Sequence, residues 1–297
     1  MKRAIFSILF IITFLIPAAG MEISTLFHIS DISFDKTDTA PVSSFSGTYY
    51  PWGISIFGSD EISDEMSLKA GVFYDPILRY TTYTLFEYQH SFFKLGVGPF
   101  FGLFNTAETI MKSGISTSVR VELPGIMFAS LRADSSIGSR FIKVGDYLQE
   151  FNEISVGYYF PNAICSVSLI SKSFVTKQEA TLEVDDSFTE YAFKVDIFQK
   201  NVAFRALLSF AYQTLTRTYL DTDSSLTYEN KLNSLILGTN FTFKIADGFE
   251  LITNLESNVY SFGYNDDTAL TLATTFPGVF LFRLTTGVSI DLDVFRK

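Results

Sequence analysis

The feature that most constrains this chain is a strict two-residue alternation over Ile115 to Asp134. Ile115, Thr117, Val119, Val121 and Leu123 alternate with Ser116, Ser118, Arg120 and Glu122. Pro124-Gly125 turns the chain, and Met127, Ala129, Leu131 and Ala133 then alternate with Phe128, Ser130, Arg132 and Asp134. A strand sends successive side chains to opposite faces, so each arm of this hairpin has one apolar and one polar face. Burying unpaired charge costs several kcal/mol, which makes the face with Arg120, Glu122, Arg132 and Asp134 unfit for a dry core. The apolar face is therefore the one withheld from water, against either a protein core or lipid.

The pattern recurs along the chain. Strands are expected over Glu22 to Ser30, Tyr49 to Phe57, Met66 to Tyr74, Thr82 to Gln89, Phe93 to Leu103, Glu153 to Phe160, Ala163 to Leu169, Glu190 to Ile197, Phe204 to Gln213, Ser234 to Ile245, Leu251 to Val259 and Arg283 to Val294. Pro99 lacks a ladder donor and predicts a bulge or local break. Thr268 to Gly278 fits either a further strand or a loop or strand extension; the second keeps the count even, at about 14 strands, with both chain ends on one side.

Lipid is favoured over a protein core by composition and by the spacing of the turns. Beyond the N-terminal segment no run approaches the ~18 apolar residues of a membrane helix. Yet the chain is 47% hydrophobic and 16% aromatic, only 18% is charged, and its mean hydropathy is +0.24. So much apolar matter, spread as alternation, fits strands that face acyl chains. Short connections at His90, Pro124-Gly125, Pro161-Asn162, Gln199 to Asn201 and Asp247-Gly248 alternate with longer polar stretches, among them Asp31 to Gly47, Asn105 to Lys112, Ser135 to Glu150, Phe174 to Ser187 and Tyr219 to Glu229. A membrane barrel sorts its connections in this way, and a sandwich has no reason to. The expected fold is an all-β, transmembrane, antiparallel up-and-down β-barrel spanning residues 21–297 as one domain.

Residues 1–20 read as a secretory signal: Lys2 and Arg3 precede the apolar Ile5 to Ile16, and Pro17-Ala18-Ala19-Gly20 supplies small residues for cleavage. The lone Cys165 excludes an internal disulfide. A net charge of -10 lacks the basic footprint of a nucleic-acid binder.

On these strands, on the aromatic residues at their ends and on the final strand Leu284 to Phe295, the chain resembles bacterial integral outer-membrane β-barrel proteins, porin-like or fatty-acid-channel-like. In that class an aromatic residue usually ends the chain and is read by the assembly machinery; here Arg296-Lys297 follow Phe295. The resemblance implies a multi-pass protein of the bacterial outer membrane, exported by its signal peptide, with outer-membrane lipid as its surroundings.

Few residues suggest chemistry. His28 and Ser30 share a face, as an imidazole base and a hydroxyl would have to, but an ordinary polar strand pair accounts for them equally. Asp185-Asp186 and Asp266-Asp267 suit a divalent cation between loops or simply solvated tips. No enzyme and no cofactor is expected. The residues that remain are the polar face itself: Lys69, Glu87, Lys94, Arg120, Glu122, Arg132, Asp134, Glu153, Lys194, Asp196, Arg205, Lys244, Glu256, Arg283 and Asp291. As lumen-lining charges they would set field and selectivity in a passive channel for small hydrophilic solutes. A wall of mutual salt bridges would instead close the lumen. Inward-phase Phe73, Phe100, Phe104, Phe128, Leu207, Ile236 and Ile252 point to the alternative, a binder or conduit for an apolar ligand, which a lateral opening near Pro99 would support. A surface adhesin acting through extracellular loop partners is a third reading.

Overall fold

The computed structural model describes residues 21–32, 52–105, 109–137, 144–177, 180–198, 203–265, 268–272, 281–292 and 294. The strands, in chain order, are β1 (Glu22–Ile32), β2 (Trp52–Ser63), β3 (Met66–Asp75), β4 (Arg79–His90), β5 (Phe93–Asn105), β6 (Thr109–Leu123), β7 (Met127–Ser136), β8 (Tyr147–Phe160), β9 (Ala163–Lys177), β10 (Leu182–Phe198), β11 (Phe204–Asp221), β12 (Leu226–Ala246), β13 (Phe249–Asn265), β14 (Thr268–Leu272) and β15 (Leu281–Asp291). Each pairs antiparallel with its neighbour, and β1 closes on β15 through an unbroken ladder from Glu22↔Asp291 to Ile32↔Leu281. The result is a closed barrel of 14 staves. The short β14 pairs only with the end of β13, so the described part of Thr268 to Gly278 extends a strand and adds no stave.

The two faces of every stave differ as the alternation demands. Val97 is 57% exposed and Val167 56%, and Phe86, Ile154, Phe193, Phe210 and Leu237 are exposed on the same outer side. The residues that alternate with them along the strands and point inward, such as Glu87, Ser116, Asp134, Ser168 and Gln213, are buried. An apolar skin around a polar interior is the inverse of a soluble protein, and lipid is the solvent that favours it. Exposed aromatics crowd the ends of this skin: Trp52 stacks on Phe27 at 6.4 Å between ring centroids, and Phe92, Phe160, Phe204 and Phe243 ring the side of the short turns.

One expectation from the sequence needs correction. Stretches read as long loops are largely strand. β9 runs to Lys177 and β10 starts at Leu182, where Phe174 to Ser187 was expected to be loop, and β11 and β12 leave only Thr222 to Ser225 between them. That tight turn is held by Asp221, whose carboxylate accepts the Ser224 hydroxyl at 2.7 Å and the Asp223 N–H at 3.0 Å. These two bonds hold its carboxyl below the usual carboxylate range. Likewise β5 continues to Asn105 and β6 begins at Thr109, so the Asn105 to Lys112 connection shrinks. The reason is an exchange of faces. Above Tyr191 on β10 the outer side chains are Thr189, Ser187 and Asp185, while the inner ones are the buried Phe188, Val184 and Leu182. The strands go on past the lipid into water, their polar side now outward. Of the two outcomes expected at Pro99 the structure has the local break: the β4–β5 ladder is interrupted there without a bulge, and Tyr83↔Phe100 and Phe86↔Val97 keep one register across the gap. The lateral opening that would support an apolar conduit does not form there: a Cβ on Gly98 would lie 1.7 Å from the Thr84 carbonyl oxygen, so the two backbones touch. The signal segment, Tyr49-Tyr50, Gln199 to Asn201, Asp266-Asp267 and Phe295 to Lys297 lie outside the described residues.

Two substitutions test this arrangement. Val167→Arg on the lipid side should lower folding stability in phospholipid vesicles by about 2–4 kcal/mol, read from urea titration. Gly98→Ala, which forces β4 and β5 apart at the backbone, should cost about 1–3 kcal/mol in the same assay.

Candidate functional site

The register places all fifteen sequence-chosen charged residues on one face of the sheet, the inner one. It does not bring them all together. The largest group surrounds a cavity of about 530 Å³ near the short turns, lined by Lys69, Glu87, Lys94, Arg120, Arg132 and Glu153 among others. Glu87, only 7% exposed, sits between two ammonium groups, Lys69 at 3.1 Å and Lys94 at 2.8 Å. Arg120 donates to Glu122 at 3.0 Å and to the Tyr159 hydroxyl at 2.8 Å, Tyr159 donates to Glu122 at 2.7 Å, and the guanidinium lies 4.0 Å above the Phe128 ring. Arg132 forks onto Asp134 at 2.8 and 3.3 Å while facing the rings of Tyr83 and Phe151 at 4.8 and 5.2 Å. The Ser116 hydroxyl also donates to Asp134. Such planar, two-point pairing fixes each guanidinium in place.

The rest of the predicted set is spread round the opposite wall. Arg205 forks onto Asp196, and Arg283 meets Glu256 at 3.3 Å. Lys194 stands in register between Ser166 and Ser209, and Asp291 opposite Glu22. Lys244 turns to Asp247 of its own hairpin at 2.8 Å, and both are largely exposed at the barrel end.

Towards the other end the interior is filled. Gln149 on β8 donates to the Thr81 hydroxyl on β4 at 2.6 Å, across four staves, and Phe100 and Tyr147 are wholly buried. Gly102 and Gly114 admit these groups: a Cβ on Gly102 would meet the Gln149 side chain at 2.3 Å, and one on Gly114 the Phe100 ring at 2.2 Å. Tyr147, Phe174, Phe188, Ala211, Leu215 and Ile236 form an apolar cluster with Ile77 and Leu78 from the β3–β4 turn. A barrel of about 14 strands is wider than the ~8-strand size that side chains fill; here walls four staves apart touch. Of the inward-phase apolar residues, Ile236 joins this cluster, while Phe128 lies by the cavity beneath Arg120. The side chain of Phe104 is outside the described residues.

Sequence reading missed several charges of this inner face, because they stood in stretches taken for loops or just beyond the ends of the expected strands. Lys112 binds Asp146 at 2.9 Å, Arg217 forks onto Asp186 at 2.5 and 2.7 Å, and Lys172 pairs with Asp75. Two-residue spacing carried through to Asp186 would have found them. Asp186 thus points inward, while Asp185 faces out and accepts from Ser173 at 3.2 Å, so the two adjacent carboxylates do not converge on one cation. His28 does not use Ser30: its Nε2 lies 2.7 Å from the Ser55 hydroxyl and its Nδ1 3.0 Å from that of Thr285. Cys165 lies in register with Tyr158, on the lipid side.

Neither a family model nor a curated relative matches this chain. Solved structures do. An outer-membrane channel from Pseudomonas putida F1 matches with a TM-score of 0.50 at 7% identity, over 93% of this chain and 96% of that one. The fold is that of bacterial outer-membrane β-barrels. The toluene transporter TbuX of Ralstonia pickettii (TM-score 0.40, 10% identity, 93% and 90% covered) and OmpT, an outer membrane protein of Vibrio cholerae (TM-score 0.39, 7%, 93% and 98%), are also similar. At such identities the likeness concerns architecture alone.

Replacing Glu87 by Gln leaves two ammonium groups facing each other with no carboxylate between them. With one lysine half in water, the expected loss is about 1–3 kcal/mol, measured by thermal unfolding in detergent.

Proposed function

We propose that this protein sits in the bacterial outer membrane as a channel for small hydrophilic solutes, and that the described form is its closed state. The observation that carries this reading is the charged cavity between Lys69, Glu87, Lys94, Arg120, Arg132 and Glu153. Fixed charges of both signs around a cavity of this size favour passage of polar, hydrated species and penalise apolar ones. A barrel filled end to end by side chains for strength alone would have no need of such a space, since well-packed apolar groups stabilise at least as well as buried ion pairs. Lipid is then the partner of the outer surface, and solutes are transient partners of the inner one.

A second reading has its own observation. The apolar cluster of Phe174, Phe188, Leu215 and Ile236 lies where β9 to β12 project past the lipid skin, and an apolar ligand would be drawn to it. On that reading the charged cavity would be a barrier and not a path.

Planar-bilayer recording separates the two. The hydrophilic-channel reading expects discrete conductance steps, and it expects Lys69→Glu combined with Lys94→Glu to shift the reversal potential in a salt gradient towards cation selectivity. Absence of any step across voltage and pH, together with saturable binding of an apolar probe, would replace it with the second.

A further inference from the structure

The three-residue turn Pro76–Leu78 folds into the barrel. Ile77 and Leu78 are each only 7% exposed. The residues they cluster with belong to the far wall: Phe174 of β9, Phe188 of β10, Leu215 of β11 and Ile236 of β12. In a ring of 14 staves β10 stands half-way round from β3 in either direction, so contact between them crosses the lumen.

Asp75 holds the turn in two ways. Its Oδ1 accepts the N–H groups of Ile77 and Leu78 at 2.8 and 3.1 Å, which fixes the shape of the turn. Its Oδ2 accepts from Lys172 of β9, a lysine that lies 5.1 Å above the Phe188 ring. Arg79, just past the turn, has φ of 65°, a left-handed conformation that a non-glycine residue keeps only when its surroundings impose it.

The wall is also cut beside this tip. The β2–β3 ladder ends at Ile56↔Val72, although β2 continues to Trp52 and β3 to Asp75. Beyond that point the N–H of Tyr74 is met by a side chain, the Ser55 hydroxyl at 2.9 Å. On its β2 side the tip of the β3–β4 hairpin therefore lies outside the ladder, while its β4 edge stays paired with β5 up to Tyr80↔Leu103, so the tip can swing about that edge without breaking the β2–β3 ladder.

We propose that this hairpin tip is a tethered plug. It closes the lumen by seating Ile77 and Leu78 in the apolar recess of the opposite wall, with the Asp75–Lys172 ion pair as its clasp, and solutes pass when it tilts out. The proposal rests on the channel reading above for its consequence, though not for its geometry. Breaking one half of a buried ion pair leaves the other charge uncompensated, so loss of Lys172 should favour the tilted state.

The test is thiol labelling of Ile77→Cys in a Cys165→Ala background, in the full chain folded into proteoliposomes, with a membrane-impermeant maleimide. Thr222→Cys, at an exposed turn, is the reference. Cys at 77 should label at least about tenfold more slowly than the reference, and Lys172→Met or Phe188→Ser, each checked for heat-modifiable migration, should raise its rate about tenfold. Labelling as fast as the reference without either substitution overturns the plug, as does a slow rate that neither changes. Single-channel recording of Lys172→Met distinguishes the two claims. Faster labelling with larger conductance supports both, whereas faster labelling with no current in any variant keeps the plug and removes the channel.

Discussion

The whole structure depends on one constraint: inside a bilayer there is no water to satisfy a backbone N–H or carbonyl, so each must find a partner in the chain. A sheet meets this requirement only by closing on itself. The ladder of β1 with β15 provides the closure, and it joins the two ends of the chain's strand sequence. Once the cylinder is closed, side chains have two destinations. Val97, Val167 and Phe193 go to lipid, and Glu87, Ser116 and Asp134 to the interior.

The interior then has its own problem, which is how to hold charge away from bulk water. It solves it largely strand to strand or along one strand, as in Arg132 with Asp134, Arg205 with Asp196, Arg217 with Asp186 and Arg283 with Glu256, and across the lumen in Lys172 with Asp75. Arginine suits these sites because its fork makes two bonds to one carboxylate and its flat face rests on a neighbouring ring, as Arg120 does on Phe128. Glycines opposite bulky side chains, such as Gly114 beneath Phe100, let the filling pack without pushing the wall outward.

The staves that cross the lipid were legible in the sequence because polar and apolar residues alternate there with one fixed phase. Where the strands leave the lipid the phase of polarity reverses, and Phe174 to Ser187 then looks like a loop although the two-residue period is intact. Asp186 was lost for that reason, and Lys172 and Arg217 because β9 and β11 run further than the strands expected there. The inner charges were legible as a face, since a face follows from parity alone. Which of them meet was not, because that depends on how far the barrel is pressed in, as at Gln149 and Thr81. Nor could the Asp75 to Leu78 turn be placed: Asp75-Pro76 announces a break in the strand, but nothing in the local residues tells whether Ile77 points to water or back across the lumen.

The central claim is that acyl chains cover the outer face of the staves. It is tested most directly by fluorescence quenching of a single tryptophan, Val167→Trp with the native Trp52→Phe, in vesicles whose lipids carry bromine midway along the chain. The account predicts strong quenching by those lipids and little by aqueous iodide. Quenching by iodide with none from the brominated lipids would mean that Val167 faces water or another protein surface, and the membrane barrel would have to be given up.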